Sequence, residues 1–384
     1  MVYPRSHVDR ILPSDEAAAL LDLTRELVDA ELVPRAADHE ARGEFPRDIV
    51  RTLGRAGLLS LPYPEEYGGG GQPYEVYLQV VEELARGWLA AAEAVSVHTL
   101  ACYPVATFGS DAQRKRFLPD LLGGELLGAY CLSEPSGGSD AAAMTTRAVR
   151  DGDDYVVTGT KAWITHAGVA DCYNVFCRTG GPGARGISCL LADAATPGIV
   201  PQARERTMGL HASPVAQIAF DGARVPADRL IGEEGAGFRI AMSALDGGRL
   251  GIAACAVGLA QAALDYAVGY AQEREQFGRP IAQFQGLGFL LADAATQIAA
   301  ARALTLAAAR LRDAGRPYSV EAAKAKLFAT DMAMRVTTDA VQVLGGYGYV
   351  SDHPVERYMR EAKVLQIVEG TNQIQRVVIA RSLR

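Results

Sequence analysis

The spacing of apolar residues changes twice along this 384-residue chain. Up to about residue 122 they recur at three- and four-residue intervals. From about 125 to 233 the interval shortens toward two, and from about 234 to 384 the helical interval returns. Such a chain can be neither all helix nor all sheet. The pattern predicts an α+β multidomain fold: an N-terminal α-helical domain (1–124), a small middle β-barrel or sandwich (125–233) and a C-terminal helix bundle (234–384). At roughly 150 residues per domain, the length suits two to three units.

Local signals refine this. Ser14-Asp15-Glu16 supplies the polar and acidic start of a helix, predicted over 17–37 with Pro34 near its end. Ile49, Val50 and Leu53 mark a short helix stopped near Gly57, and 76–85 and 90–100 read as further helices. Residues 62–71, rich in Pro and Gly, must be loop. In the middle segment, 155–158, 173–177, 187–191 and 216–220 read as strands, with turns at Asp151-Gly152 and Pro182-Gly183. In the last segment three sets keep helical spacing: Leu245 to Tyr270, Leu287 to Ala301, and Ala325, Phe328, Met332, Val336, Ala340 and Val343. Three long Ala-rich helices of this kind pack as an antiparallel bundle.

Composition enters mainly to exclude. A net charge of −7 argues against a general nucleic-acid binder. No membrane span is expected, because the longest charge-free run, 94–110, contains Pro104. The N-terminus lacks an apolar signal-peptide core. Six cysteines without C-x-x-C spacing read as reduced thiols of a cytoplasmic protein. Six scattered histidines without an H-x-x-x-H pair give no metal site.

Five segments carry candidate chemistry, and each has a plainer reading. Leu132-Ser133-Glu134-Pro135-Ser136-Gly137-Gly138-Ser139-Asp140 is a polar turn whose N–H groups and hydroxyls can bind a planar heterocycle or an anion; it can equally be a simple β-turn. Lys161-Ala162-Trp163-Ile164-Thr165 sets one of two tryptophans beside a hydroxyl, and a core Trp is the alternative. Arg274-Glu275-Gln276-Phe277-Gly278-Arg279-Pro280-Ile281 places an arginine suited to phosphate at a helix end stopped by Gly278 and Pro280, or merely a solvated one. Gln342-Val343-Leu344-Gly345-Gly346-Tyr347-Gly348 lets backbone approach a ligand, or simply caps a helix. Glu369, in Val368-Glu369-Gly370-Thr371-Asn372-Gln373-Ile374-Gln375-Arg376, lies among apolar residues just before a helix that Thr371 or Asn372 would cap. It either complements the helix dipole or is a base in a dry cleft.

Taken together and in this order, the five segments resemble the acyl-CoA dehydrogenase family over essentially the whole chain. The resemblance implies N-terminal helices, a middle β domain and a C-terminal four-helix bundle, assembled as a homotetramer built from two dimers. It implies FAD, an acyl-CoA substrate and transfer of electrons to an electron-transfer flavoprotein. By residue-by-residue match, Glu369 is the base that removes the Cα proton. Tyr130, Leu132, Ser133, Gly138, Trp163, Ile164 and Thr165 match flavin-ring positions, and Ser139 a position between flavin and acyl-CoA. Arg274, Phe277, Gln285, Gln342, Gly345 and Gly346 match a dinucleotide clamp offered largely to a neighbouring subunit. Thr371 and Gln373 match further FAD contacts, and Asp246, Arg249, Val368 and Gly370 match positions lining the substrate channel. Some relatives carry the base in a Leu-Asp-x-x-Arg stretch; here that stretch is Leu245-Asp246-Gly247-Gly248-Arg249, without a carboxylate at Gly248. Similarity to isobutyryl-CoA dehydrogenases, Val368 in place of a tyrosine, and Gly247-Gly248 favour a short, branched or unbranched acyl chain. An oxidase, a desaturase acting on carrier-protein thioesters, and a non-catalytic scaffold are the remaining readings.

Overall fold

The computed structural model describes Tyr3, Ser6 and residues 8–384. The first segment contains α1 (Asp15–Leu27), α2 (Val33–Arg42), α3 (Arg47–Arg55), α4 (Tyr74–Gly87), α5 (Leu89–Phe108) and α6 (Asp111–Leu122). Ser14 caps α1 by accepting from the Ala17 N–H. The helix expected over 17–37 runs further. The chain widens into a π turn over Val28–Leu32 and continues as α2. Pro34 falls in the first turn of α2, where its missing N–H costs little. The stop comes instead at Gly43, in the left-handed region at φ +62°.

Pro104 likewise lies inside α5 rather than breaking it. This corrects the membrane expectation: α5, α7 (Gly237–Glu273) and α8 (Gln285–Asp313) are each long and apolar enough to cross a membrane. The apolar stretches of α5 and α7 are 89% buried inside the fold, whereas that of α8 is only 17% buried.

The middle segment forms β1 (Gly128–Cys131), β2 (Arg147–Asp151), β3 (Asp154–Thr165), β4 (Cys172–Arg178), β5 (Ile187–Asp193), β6 (Ile199–Arg204), β7 (Val215–Pro226) and β8 (Leu230–Ile231). The barrel-or-sandwich expectation is realised as one hydrogen-bonded sheet, in the order β6-β7-β3-β2-β4-β5-β8, with β1 parallel to β4. Strands β4 and β5 are buried on both faces. Cys172 and Phe176 face a cluster shared with α5, α6 and α7, while Tyr173, Val175 and Cys177 face the core of the sheet itself. The sheet is thereby packed directly against the helices.

The last segment holds α7, a short hairpin of β9 (Glu275–Gln276) and β10 (Arg279–Pro280), then α8, α9 (Ser319–Leu344), α10 (Val355–Leu365) and α11 (Asn372–Ser382). Helix α7 ends at Glu273, and Gly278, at φ +77°, turns the hairpin rather than stopping the helix. Helix α7 is the central strut, packed on α4, α5, α8 and α9. One apolar core joins Leu84 and Trp88 from the first segment to Leu250, Leu259, Met332 and Leu365 from the last. The two helical segments therefore share their hydrophobic stabilisation. On α9 Phe328, placed by sequence in the apolar set, is exposed, while Lys326 is fully buried.

Candidate active site

Helix α10 ends at Leu365 and α11 starts at Asn372, capped by the Thr371 hydroxyl, which accepts from the Ile374 N–H at 3.3 Å. The turn between them contains Glu369 at φ +53° and Gly370 at φ +93°. A side chain other than glycine in this region is strained, so the surrounding structure must hold it. The Glu369 carboxylate lies against α7 at Gly248, where a Cβ would sit 1.9 Å from its Oε2. Gly248 therefore makes the space that Glu369 occupies. At Gly247 a Cβ would meet the Tyr74 hydroxyl at 3.1 Å. The lateral room expected from the absence of side chains at 247 and 248 is therefore not found at these two positions. Their space is already taken by Glu369 and Tyr74.

Both oxygens of Glu369 are buried and lack a hydrogen-bond partner among the described residues. Burial raises its pKa to about 8, with Lys326 and Arg249 acting in the opposite direction and Glu93 adding to the rise. The sequence left this balance open, because the start of α11 favours the charged form; desolvation prevails. Arg249, buried on α7, donates to Asp246 at 2.6 Å. Asp246 also accepts from the Ser319 hydroxyl. Burial holds the Asp246 carboxyl above its usual range. Val368 packs, half-buried, on the main core. Gly370 O accepts from Gln375 Nε2 at 2.8 Å and from Lys326 Nζ at 3.0 Å.

The two loops assigned to the flavin ring are joined. Glu134 and Gly137 exchange reciprocal backbone hydrogen bonds of 3.1 and 3.0 Å, and Ala162 N donates to Ser133 O at 2.9 Å. Beneath them Lys161 and Glu134, both buried, pair at 3.0 Å, and Lys161 also donates to Leu132 O at 2.9 Å. Glu134 accepts in addition from Thr145 N, Thr145 Oγ1 and Thr146 N. Burial alone would raise its pKa, but Lys161 and these donors hold it at about 2. Sequence reading missed the pair, although both residues lay within the quoted motifs.

Trp163 stands in a β3 irregularity at φ +60° with 65% of its surface exposed. It is not a core tryptophan. A strained, exposed indole beside a polar turn fits a planar heterocycle stacked against the C-terminal end of β3, so these residues suit a flavin. Ser133, Thr165 and Tyr130 are half-buried around it, while Gly138 and Ser139 are exposed. The Tyr130 hydroxyl donates to Ala241 O at 3.1 Å. Leu132 and Ile164 are buried in the two apolar clusters, so Ile164 offers a ligand backbone rather than side chain.

Arg274, Phe277, Gln285, Gln342, Gly345, Gly346 and Gln373 are all exposed, Phe277 at 94%. None of them shares a hydrogen bond or ion pair with the Ser133 or Trp163 loops among the described residues. A separate cavity of about 970 Å³ lies between α1–α2 and α10 and does not include Glu369 among its lining residues. The described residues contain no His/Cys/Asp/Glu cluster fit for a metal.

An unpaired buried carboxylate in the α10–α11 turn, seated against the central helix α7, together with a sheet that presents a strained exposed tryptophan, suits a flavin-type oxidoreductase. Three domain profiles of one family match the chain in sequence order: acyl-CoA dehydrogenase N-terminal domain at 14–125, middle domain at 129–223 and C-terminal domain at 235–384. The protein belongs to the acyl-CoA dehydrogenase family of FAD-dependent oxidoreductases. It is 43% identical to an acyl-CoA dehydrogenase of Bacillus subtilis, over 96% of this chain and 98% of that one. It is 42% identical to a short-chain specific acyl-CoA dehydrogenase of Clostridium acetobutylicum, over 95% and 97%. Its fold matches the butyryl-CoA dehydrogenase of Megasphaera elsdenii with a TM-score of 0.95 at 41% identity, covering 98% and 100% of the two chains. A chain from the electron transferring flavoprotein structure of Acidaminococcus fermentans matches equally, with a TM-score of 0.95 at 44% identity over 98% and 99%.

Proposed function

We propose that this protein catalyses α,β-dehydrogenation of a short-chain acyl-CoA thioester, with Glu369 removing the Cα proton. The observation that carries this is the unpaired, buried carboxylate of Glu369 seated in the notch of Gly248. A Cα proton beside a thioester is weakly acidic, so the base must be strong and close. Burial supplies that strength by raising the carboxylate above its ordinary range. FAD, when bound, takes up the hydride that leaves Cβ. Ser133, Trp163 and Thr165 would hold its ring, and Asp246 and Arg249 would line the route of the CoA moiety. Electrons then pass to an electron-transfer flavoprotein.

The similarity to relatives named short-chain specific acyl-CoA dehydrogenase and butyryl-CoA dehydrogenase supports a short acyl chain. A branched chain is favoured by Val368 and by the similarity to isobutyryl-CoA dehydrogenases, and not by Gly247-Gly248, whose space is filled. Arg274, Phe277, Gln342, Gly345 and Gly346, exposed at the bundle end, suit a clamp for a neighbouring subunit's FAD in a homotetramer. The largely uncovered apolar stretch of α8, with Phe289 60% and Leu304 41% exposed, supports such assembly. Six free, buried thiols support a cytoplasmic setting.

Anaerobic addition of butyryl-CoA to the holoenzyme tests the reading. Flavin bleaching is expected, with kcat/KM for butyryl-CoA above that for palmitoyl-CoA. A flavin left oxidised by every acyl-CoA would contradict it. Rapid reoxidation by air in preference to an electron-transfer flavoprotein would favour an oxidase instead.

A further inference from the structure

We propose that Lys326 is a positioning residue for the catalytic base: its ammonium clamps the Gly370 carbonyl and the Asn372 side chain, and so fixes the left-handed turn that carries Glu369. The proposal rests on the reading of Glu369 as the base.

Lys326 lies in the interior of α9 with none of its surface exposed. Lysine is almost never buried without a partner. This one forms no ion pair within 4.0 Å among the described residues, so it answers its burial with neutral acceptors. It donates to Gly370 O at 3.0 Å and to Asn372 Oδ1 at 2.9 Å. Asn372 is itself fixed, donating to Thr330 Oγ1 at 2.9 Å and Asp331 Oδ1 at 2.7 Å. Its carbonyl oxygen is thus turned toward the lysine. Gly370 O receives a second bond from Gln375 Nε2 at 2.8 Å.

The clamp therefore grips residues 370 and 372, on the C-terminal side of Glu369. Residues 369 and 370 both have positive φ. A glutamate there is strained and persists only when its neighbours over-determine it. Lys326 supplies two of the hydrogen bonds in that support. Its charge also acts on Glu369, together with Arg249 from α7, while Glu93 from α5 opposes them. Around the lysine burial prevails and, with Arg249, brings its pKa down to about 7 against Glu369 and Asp331, so it carries its charge below that pH and keeps N–H donors above it.

A lysine that merely anchored α11 would affect stability and nothing else. The test therefore reads the base limb of the kcat/KM pH profile alongside FAD content and Tm. Lys326→Met keeps the aliphatic stem and removes both donors and charge. It is expected to lower kcat by about 10- to 100-fold through misplacement of the base, to move the limb to higher pH, and to retain FAD. Lys326→Arg should return the limb toward its original position. If Lys326→Met fails to fold, Asn372→Asp is read instead: added negative charge beside the turn should also move the limb to higher pH. An unmoved limb in the variant read, with activity following Tm alone, overturns the proposal. Glu369→Gln separates the two claims. If it stays active the base assignment fails, and if it is inactive while the Lys326→Met limb is unmoved only the clamp fails.

Discussion

Two buried glutamates, each with a buried lysine close by, behave in opposite ways in this molecule. Glu134, between the flavin loops, pairs with Lys161 at 3.0 Å and accepts three further hydrogen bonds; it is held at about pKa 2. Glu369, in the turn between α10 and α11, accepts none, and burial raises it to about 8. Burial penalises the charged form at both sites, so partners decide the outcome. At Glu134 lysine and amide donors converge on the carboxylate. At Glu369 the lysine is turned away, onto Gly370 O and Asn372. One carboxylate is thereby fixed as a structural anion, and the other is left available to take a proton.

The largest effect expected from breaking this contrast is at Glu369. Glu369→Gln keeps the shape and removes the base, so kcat should fall about 10²- to 10⁴-fold with FAD still bound, as measured by single-turnover bleaching. Lys161→Met strikes the other site. It leaves Glu134 buried without its cation and should cost about 3–5 kcal/mol of stability, measured by denaturation, with loss of FAD from the loops. Near-normal stability with FAD retained would show that the pair does not hold the flavin side together. A smaller effect is expected at Gly248→Ala. Its methyl group would stand 1.9 Å from Glu369 Oε2, so the carboxylate must shift. Overpacking of this kind costs about 1–3 kcal/mol. A drop in kcat larger than the drop in FAD binding would sharpen the assignment, and unchanged kcat would remove Gly248 from it.

Much of the fold was legible because period is a strong signal in long elements. The sets Leu245 to Tyr270, Leu287 to Ala301 and Ala325 to Val343 all fall within α7, α8 and α9. Strands β2 and β6 were not legible, since most of their residues are exposed and show no alternation. The proline expectation failed at Pro104, which lies in a helix whose buried packing outweighs a single lost donor. At the site, the residue types and order pointed to Glu369, but its electrostatics did not follow from sequence. The decisive partners, Lys326 and Gly248, lie on other helices. Lys326 carries no sequence signal of its own, yet it is buried while Phe328, in the apolar set, is exposed. Trp163 shows the converse, an apolar side chain that the strained backbone of β3 holds outward.

The central claim is that burial without partners makes Glu369 a strong base, and the pH dependence of kcat/KM tests it most directly. A carboxylate whose pKa is raised is protonated and inactive below that value. Activity toward butyryl-CoA should therefore rise with pH through a single limb near 8, the limb should be absent from the residual rate of Glu369→Gln, and Glu134 should contribute nothing above pH 4. A limb at the ordinary carboxylate value of about 4.3, or one that survives unchanged in Glu369→Gln, would contradict the account.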